Sequence, residues 1–195
     1  MSQPVKINYK LYQGSTFKEV LRWESGTKVY KPITGIAKSA PVEVSCVDHG
    51  VPVGWRAKIT NVLGMKEINS GENYYVITDV LPDSFKINAV NAVGFGDYVS
   101  GGIVEYNQPV SLAGVTARMQ LRSSLTSEEI ILELTTENDG IIVDDVNKTI
   151  TLTVSAIATA GLTFTSAVYS LELTKSGEVT PFVNGTITLV PEVTR

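Results

Sequence analysis

Val115-Thr116-Ala117-Arg118-Met119-Gln120-Leu121-Arg122 alternates apolar and polar residues without a break. In an extended chain Val115, Ala117, Met119 and Leu121 share one side, and Arg118, Gln120 and Arg122 share the other. A helix would scatter both sets around its circumference, so the stretch is a strand with one buried face. The same period of two recurs on either side of it. Thr149–Ser155 sets Ile150, Leu152 and Val154 against Thr151 and Thr153. Residues 16–23 place Phe17, Leu21 and Trp23 on one face, with Glu19 out of pattern. Residues 129–135 predict a mostly buried strand through Ile130, Ile131, Leu132 and Leu134. Ile141–Val143 and residues 167–174 add further strands. Lys175-Ser176-Gly177-Glu178 reads as a hairpin turn, and a last strand over 182–190 carries Phe182, Ile187 and Leu189.

Helix is expected only at Ser155–Ala160, where a capping Ser and small residues precede Gly161. Short strands with turn signals every ~8–12 residues give an all-β chain built as a β-sandwich.

From Ile33 to Gly102 the texture changes. Nine glycines cluster there: Gly35, Gly50, Gly54, Gly64, Gly71, Gly94, Gly96, Gly101 and Gly102. The strands between them are short: Val42–Val47, Trp55–Thr60, Tyr74–Val80 and Ser84–Asn88. This predicts a small β-barrel with tight corners, where glycine permits positive φ and close backbone approach.

Composition narrows the function. The chain has 195 residues, enough for a real core, and a hydrophobic fraction of 43% excludes a disordered protein. A net charge of −4 and the lack of a clustered basic face speak against nucleic acid and against an anionic membrane. No apolar run approaches the ~20 residues that span a bilayer. Met1–Lys6 lacks the apolar core of a signal peptide. The single cysteine, Cys46, forbids an internal disulfide.

Cys46-Val47-Asp48-His49 is the one constellation of reactive residue types. A Cys–His nucleophile needs an orienting third group and an oxyanion hole. A structural zinc needs four ligands, mostly Cys or His, and the chain has one of each. A strand end followed by a turn explains the tetrapeptide better. Glu137-Asn138-Asp139-Gly140 and Asp144-Asp145 supply oxygens for Ca²⁺ but not an EF-hand spacing, and such residues also favour turns. Glu128, Glu129 and Glu133 suit charged strand-edge protection better than a pair of glycosidase carboxylates. Gly94-Phe95-Gly96 and Gly101-Gly102 lack the strand–turn–helix setting of a phosphate loop. Tyr9, Tyr12, Tyr30, Tyr74, Tyr75, Tyr98 and Tyr106 suit a sugar-binding surface, a protein interface or the core. The expectation is a chain with no catalytic, cofactor-binding or metal-binding residue.

Two family resemblances cover most of the chain. Residues 33–102 resemble the small barrel named after the first catalytic cysteine half-domain of ubiquitin-activating enzymes, a module also found in phage tail proteins. It is carried by Ile33-Thr34-Gly35-Ile36, Val42-Glu43-Val44, Asp48-His49-Gly50, Gly54-Trp55 and Ile59–Met65. Asn69, Tyr74-Tyr75-Val76, Asp83–Ile87 and Gly96–Gly102 continue it. That module does not hold the enzyme's nucleophile, so the resemblance implies no catalysis. Residues 109–195 resemble an immunoglobulin-like domain of small phage tail and baseplate proteins, including the N-terminal part of baseplate upper proteins. Val110–Arg122, Leu132–Asn138, Thr149–Val154, Tyr169–Leu173 and Pro191–Arg195 carry it. Its opening strand is matched by Gln13-Gly14-Ser15-Thr16-Phe17 through Trp23.

The resemblances imply an immunoglobulin-like sandwich, 1–32 plus 105–195, with a barrel, 33–104, inserted into a loop. They imply a non-enzymatic virion protein of a phage tail, assembled in the host cytoplasm. It would form a collar or baseplate ring, or an adaptor joining tail parts or fibres. Head or neck decoration and host carbohydrate binding are the alternatives. Other virion proteins and further copies of the chain are the expected partners, and residues 1–12 are expected to reach a neighbouring chain as an arm.

Overall fold

The structure is a computed structural model that describes residues 3–192. Met1-Ser2 of the expected arm and Val193-Thr194-Arg195 of the resemblance lie outside the described residues. The chain is all-β, with 51% strand and 4% helix. It divides into two compact units: residues 1–22 with 111–195, and residues 23–110.

The discontinuous unit is a two-sheet sandwich. Its larger sheet contains β1 (Val5–Lys6), β2 (Tyr9–Tyr12), β11 (Val115–Arg122), β12 (Leu132–Thr135), β15 (Ser166–Lys175) and β16 (Glu178–Val190). The order is β1-β16-β15-β11-β12, and β2 also runs along β16. The smaller sheet orders β13 (Ile141–Asp144), β14 (Thr149–Val154) and β3 (Phe17–Leu21). The alternation of 115–122 is realised: Val115, Ala117, Met119 and Leu121 are buried. Leu171 and Leu173 of β15, Ile150 and Leu152 of β14, and Leu21 of β3 are buried as well. At the predicted hairpin, Ser176 and Gly177 both take positive φ, as a two-residue type I′ turn requires. The one α-helix, α1 (Ala156–Ala160), is capped by Ser155, whose Oγ accepts from the Ala158 amide at 3.2 Å.

Three differences from the sequence reading have physical causes. Ile130 and Ile131 precede β12 instead of lying in it, and Ile130 is exposed. The Arg122 guanidinium donates to the carbonyls of Ser127 and Glu128 and so holds this segment as a loop. Residues 5–12 are no free arm. They run parallel to β16 in a single register, Val5 beside Val183 and Tyr9 beside Ile187, because Tyr9 and Leu11 bury in this sheet.

The third difference is the domain boundary, which falls at Arg22/Trp23 and Val110/Ser111 instead of near 32 and 105. β4 (Glu24–Pro32) pairs with β10 (Ser100–Pro109) along its length, so both belong to the second unit. That unit also contains β5 (Gly35–Ala37), β6 (Val42–Ser45), β7 (Arg56–Leu63), a single 3-10 turn at Lys66–Ile68, β8 (Tyr75–Val76) and β9 (Ser84–Ile87). Its sheets are β4-β10-β7-β8 and β5-β6-β9. They join at both sides. The Ile33 amide donates to Gly102 while the next amide, Thr34, donates to Ser45, so the chain passes from one sheet to the other. Beyond β8, Thr78 and Lys86 exchange backbone hydrogen bonds of 2.7 and 2.8 Å. The ladder therefore closes into a small barrel around Trp55, Ile59, Met65, Ile68, Ile77, Phe85 and Ile87.

Candidate interaction surface

The barrel's reactive residue types have structural roles. Cys46 is fully buried in the core, and burial pushes its thiol up to about 11. The His49 ring is buried edge-on to Phe85, with centroids 5.2 Å apart. Its Nε2 donates to the Leu81 carbonyl at 2.8 Å, and its Nδ1 accepts from the Val51 amide at 3.1 Å. Both ring nitrogens are engaged by backbone, which leaves neither for a base or a ligand. The Tyr106 hydroxyl donates to the His49 carbonyl, and burial pushes that phenol up to about 12. Trp55 donates through Nε1 to the Asn107 carbonyl at 2.9 Å.

The glycine-rich segments serve close packing. A β-carbon on Gly102 would lie 2.8 Å from Val62 Cγ2 and 3.1 Å from Ile33. The Gly96 amide donates to Glu67 Oε1 at 3.0 Å, so a carboxylate already occupies it. Among the tyrosines, Tyr9 and Tyr106 are buried, and the Tyr98 hydroxyl donates to the Gly101 carbonyl at 2.9 Å with the Ile33 carbonyl 3.2 Å away. Tyr12, Tyr30 and Tyr74 are exposed. Lys28, Arg56 and Lys58 lie 5.0–5.9 Å from the Tyr74 ring centre, and each also pairs with a carboxylate: Glu105, Glu24 and Glu72 respectively.

In the sandwich the acidic turns close on themselves. Asp144 Oδ1 accepts from the amides of Val146 and Asn147. Asp145 Oδ1 accepts from Lys148 Nζ and from the Leu112 amide, both at 2.6 Å, and these bonds hold its carboxyl below the usual range. Among the described residues no three His, Cys, Asp or Glu side chains gather as a metal site. Glu133 accepts at Oε1 from Gln120 and from Arg118 Nε, at 2.6 and 2.7 Å; these bonds lower its carboxyl. The outer face of the larger sheet is thus a polar network. Beside it lies a shallow concavity of about 310 Å³ lined by Arg118, Gln120, Arg122, Ser170, Glu172 and Asn184, among others.

The two edges of that sheet differ. At β12, Asn138 Oδ1 accepts from the Thr135 amide at 2.8 Å, and its Nδ2 donates to the Glu133 carbonyl at 3.1 Å. A side chain thus takes the place of a further strand, a form of edge protection. At the opposite edge β1 and β2 are tied inward. Asn8 Oδ1 accepts from the Thr186 amide and hydroxyl, bridging the gap between the two short strands. Gln13 Nε2 donates to the carbonyls of Ala160 and Leu162, and its Oε1 accepts from the Glu192 amide.

The sequence reading missed Asn8, Gln13 and Gly185, and it took Asn138 for a turn residue. Asn and Gln inside or beside apolar alternation were the available signal, but their partners are up to 179 positions away. No protein-family profile matches the chain, and a search of curated proteins finds no match. No helix among the described residues is long and apolar enough to cross a membrane.

Proposed function

We propose that the chain is a non-catalytic structural component of a phage particle, a ring or adaptor protein of the tail that works by binding other virion proteins. The observation that carries this reading is the interrupted sandwich. β3 and β11 belong to one unit, yet the whole barrel lies between them in sequence. Such an arrangement suits an assembly protein, in which one unit can anchor and the other can present a second surface. The two resemblances, to an immunoglobulin-like tail domain and to a barrel module of tail proteins, point the same way. The structural engagement of Cys46 and His49 supports the non-catalytic part. The test is cryo-electron microscopy and mass spectrometry of particles purified from cells that produce the chain. The expected result is a stoichiometric component whose two units fit density in the tail. Absence from purified particles would overturn the proposal.

A further inference from the structure

The two edges of the six-stranded sheet are unequal, and the inequality says where another chain can add. In a parallel ladder alternate residues direct their N–H and C=O groups toward the partner strand, and the residues between direct theirs away. Along β1 and β2 the ladder is anchored by the Ile7 amide on the Asn184 carbonyl and the Gln13 amide on the Val190 carbonyl, both 2.9 Å. The unchanged register between them assigns the odd-numbered residues to β16. The backbone groups of Lys6 and Lys10 therefore face outward, away from every strand of the sheet order, while between the two strands the Asn8 side chain accepts from the Thr186 amide. Tyr12 closes the template, because its carbonyl accepts from the Ser15 amide.

Side-chain alternation adds a charge preference. Tyr9 and Leu11 point into the core, so Lys6 and Lys10 stand on the outer face beside this edge, and both are exposed. Residues 5–12 contain two lysines and no acid, in a chain of net charge −4. At the other edge Asn138 already occupies Glu133 and Thr135. We infer that β1–β2 is a docking edge for an extended acidic segment of another protein. That segment would add as a strand beside Lys6–Lys10 and place carboxylates on its outward-facing alternate positions. The inference rests on the proposed assembly role only for where the partner comes from.

The test uses the full chain and two synthetic peptides of equal length, one alternating Val with Glu and the other Val with Lys. Amide hydrogen exchange and chemical shifts are read by NMR. The free chain should show fast exchange at Lys6 and Lys10 and slow exchange at Tyr9 and Leu11. The Glu peptide should protect Lys6 and Lys10 and bind more weakly as salt is raised, while the Lys peptide should leave them unchanged. Lys10→Pro removes an outward N–H that β16 does not use, and should weaken the Glu peptide at least about tenfold. The double variant Lys6→Glu/Lys10→Glu keeps the backbone and should reverse the peptide preference, which decides the matter even if the proline detaches the strand. Equal binding of both peptides, binding of neither, or protection appearing at another edge would overturn the inference. If these results fail while the chain is found in particles, only the docking edge is wrong. If the Glu peptide docks but particles lack the chain, the assembly role is wrong.

Discussion

The carbonyl oxygen of Ile7 lies 1.9 Å from where a β-carbon on Gly185 would stand, so the N-terminal strand is seated in a notch that only glycine leaves open. The Tyr169 hydroxyl donates to that carbonyl at 2.8 Å from the neighbouring strand. Gly185→Ala should therefore push residues 5–8 off β16. The expected cost is about 1–3 kcal/mol, the range for forcing extra volume into a packed site. Chemical denaturation would give the loss, and hydrogen exchange should show Ile7 losing protection before Gln13 does.

Asn138→Ala should act on the opposite edge. It removes two hydrogen bonds to backbone groups of β12 and leaves the Thr135 amide and Glu133 carbonyl without protein partners. Since the site is at the surface, water replaces part of the loss, and about 1 kcal/mol is expected. The more telling outcome is association: an unsealed edge should make the variant self-associate more strongly with rising concentration than the native chain does. Sedimentation velocity at several concentrations decides it, and unchanged sedimentation would remove the edge-capping role.

With Tyr9 and Tyr169, whose phenols burial also pushes up, buried Cys46 and Tyr106 shape the alkaline behaviour. Their folded values of about 11 and about 12 stand above the ordinary values of 9.0 and 10.0. Below pH 9 both groups are protonated in either state, and their contribution is fully present. Between pH 9 and about 12 the unfolded chain releases these protons first, so stability falls as pH rises. Thermal melts should decline across that window, and Cys46→Ser should flatten the early part of the decline. In the native chain the thiol should resist alkylation at pH 8 and react once the barrel is unfolded.

Much of this architecture is legible in the sequence because its signals are local. The strand 115–122, the capped helix at 156–160 and the turn at Ser176-Gly177 each declare themselves within a few residues. The barrel's extent does not. Glu24–Pro32 is only weakly patterned, and its membership is decided by pairing with Ser100–Pro109, some 70 residues on in the chain. The fate of residues 5–12 was hidden for a related reason: alternation announces a strand but not the sheet that receives it. That choice is made by the notch at Gly185 and by the clamp at Gln13. Asn138 shows the same limit at one side chain, since its residue type suits a turn and its role as an edge cap follows only from where β12 ends.

The revised boundary makes a final prediction. The barrel enters and leaves the sandwich through Trp23 and Val110, and the Val110 amide donates to the Trp23 carbonyl at 3.0 Å. The two points of attachment are therefore adjacent, and a short linker can replace everything between Arg22 and Ser111 at a small closure cost. Excision of 23–110 should leave a sandwich that keeps its β-type circular dichroism and unfolds cooperatively, because its core residues come from β2, β3, β11, β14, β15 and β16. Excision of 33–104 alone should behave worse. It would leave β4 paired only with Glu105–Pro109, strip that hairpin of its neighbour β7, and expose Val29 and Tyr106, which pack on or in the barrel core. The comparison to make is urea denaturation of both deletions beside the full chain. A cooperative transition for the first and a broad, aggregation-prone one for the second supports the boundary at residues 22 and 111. The reverse order would return it to 32 and 105.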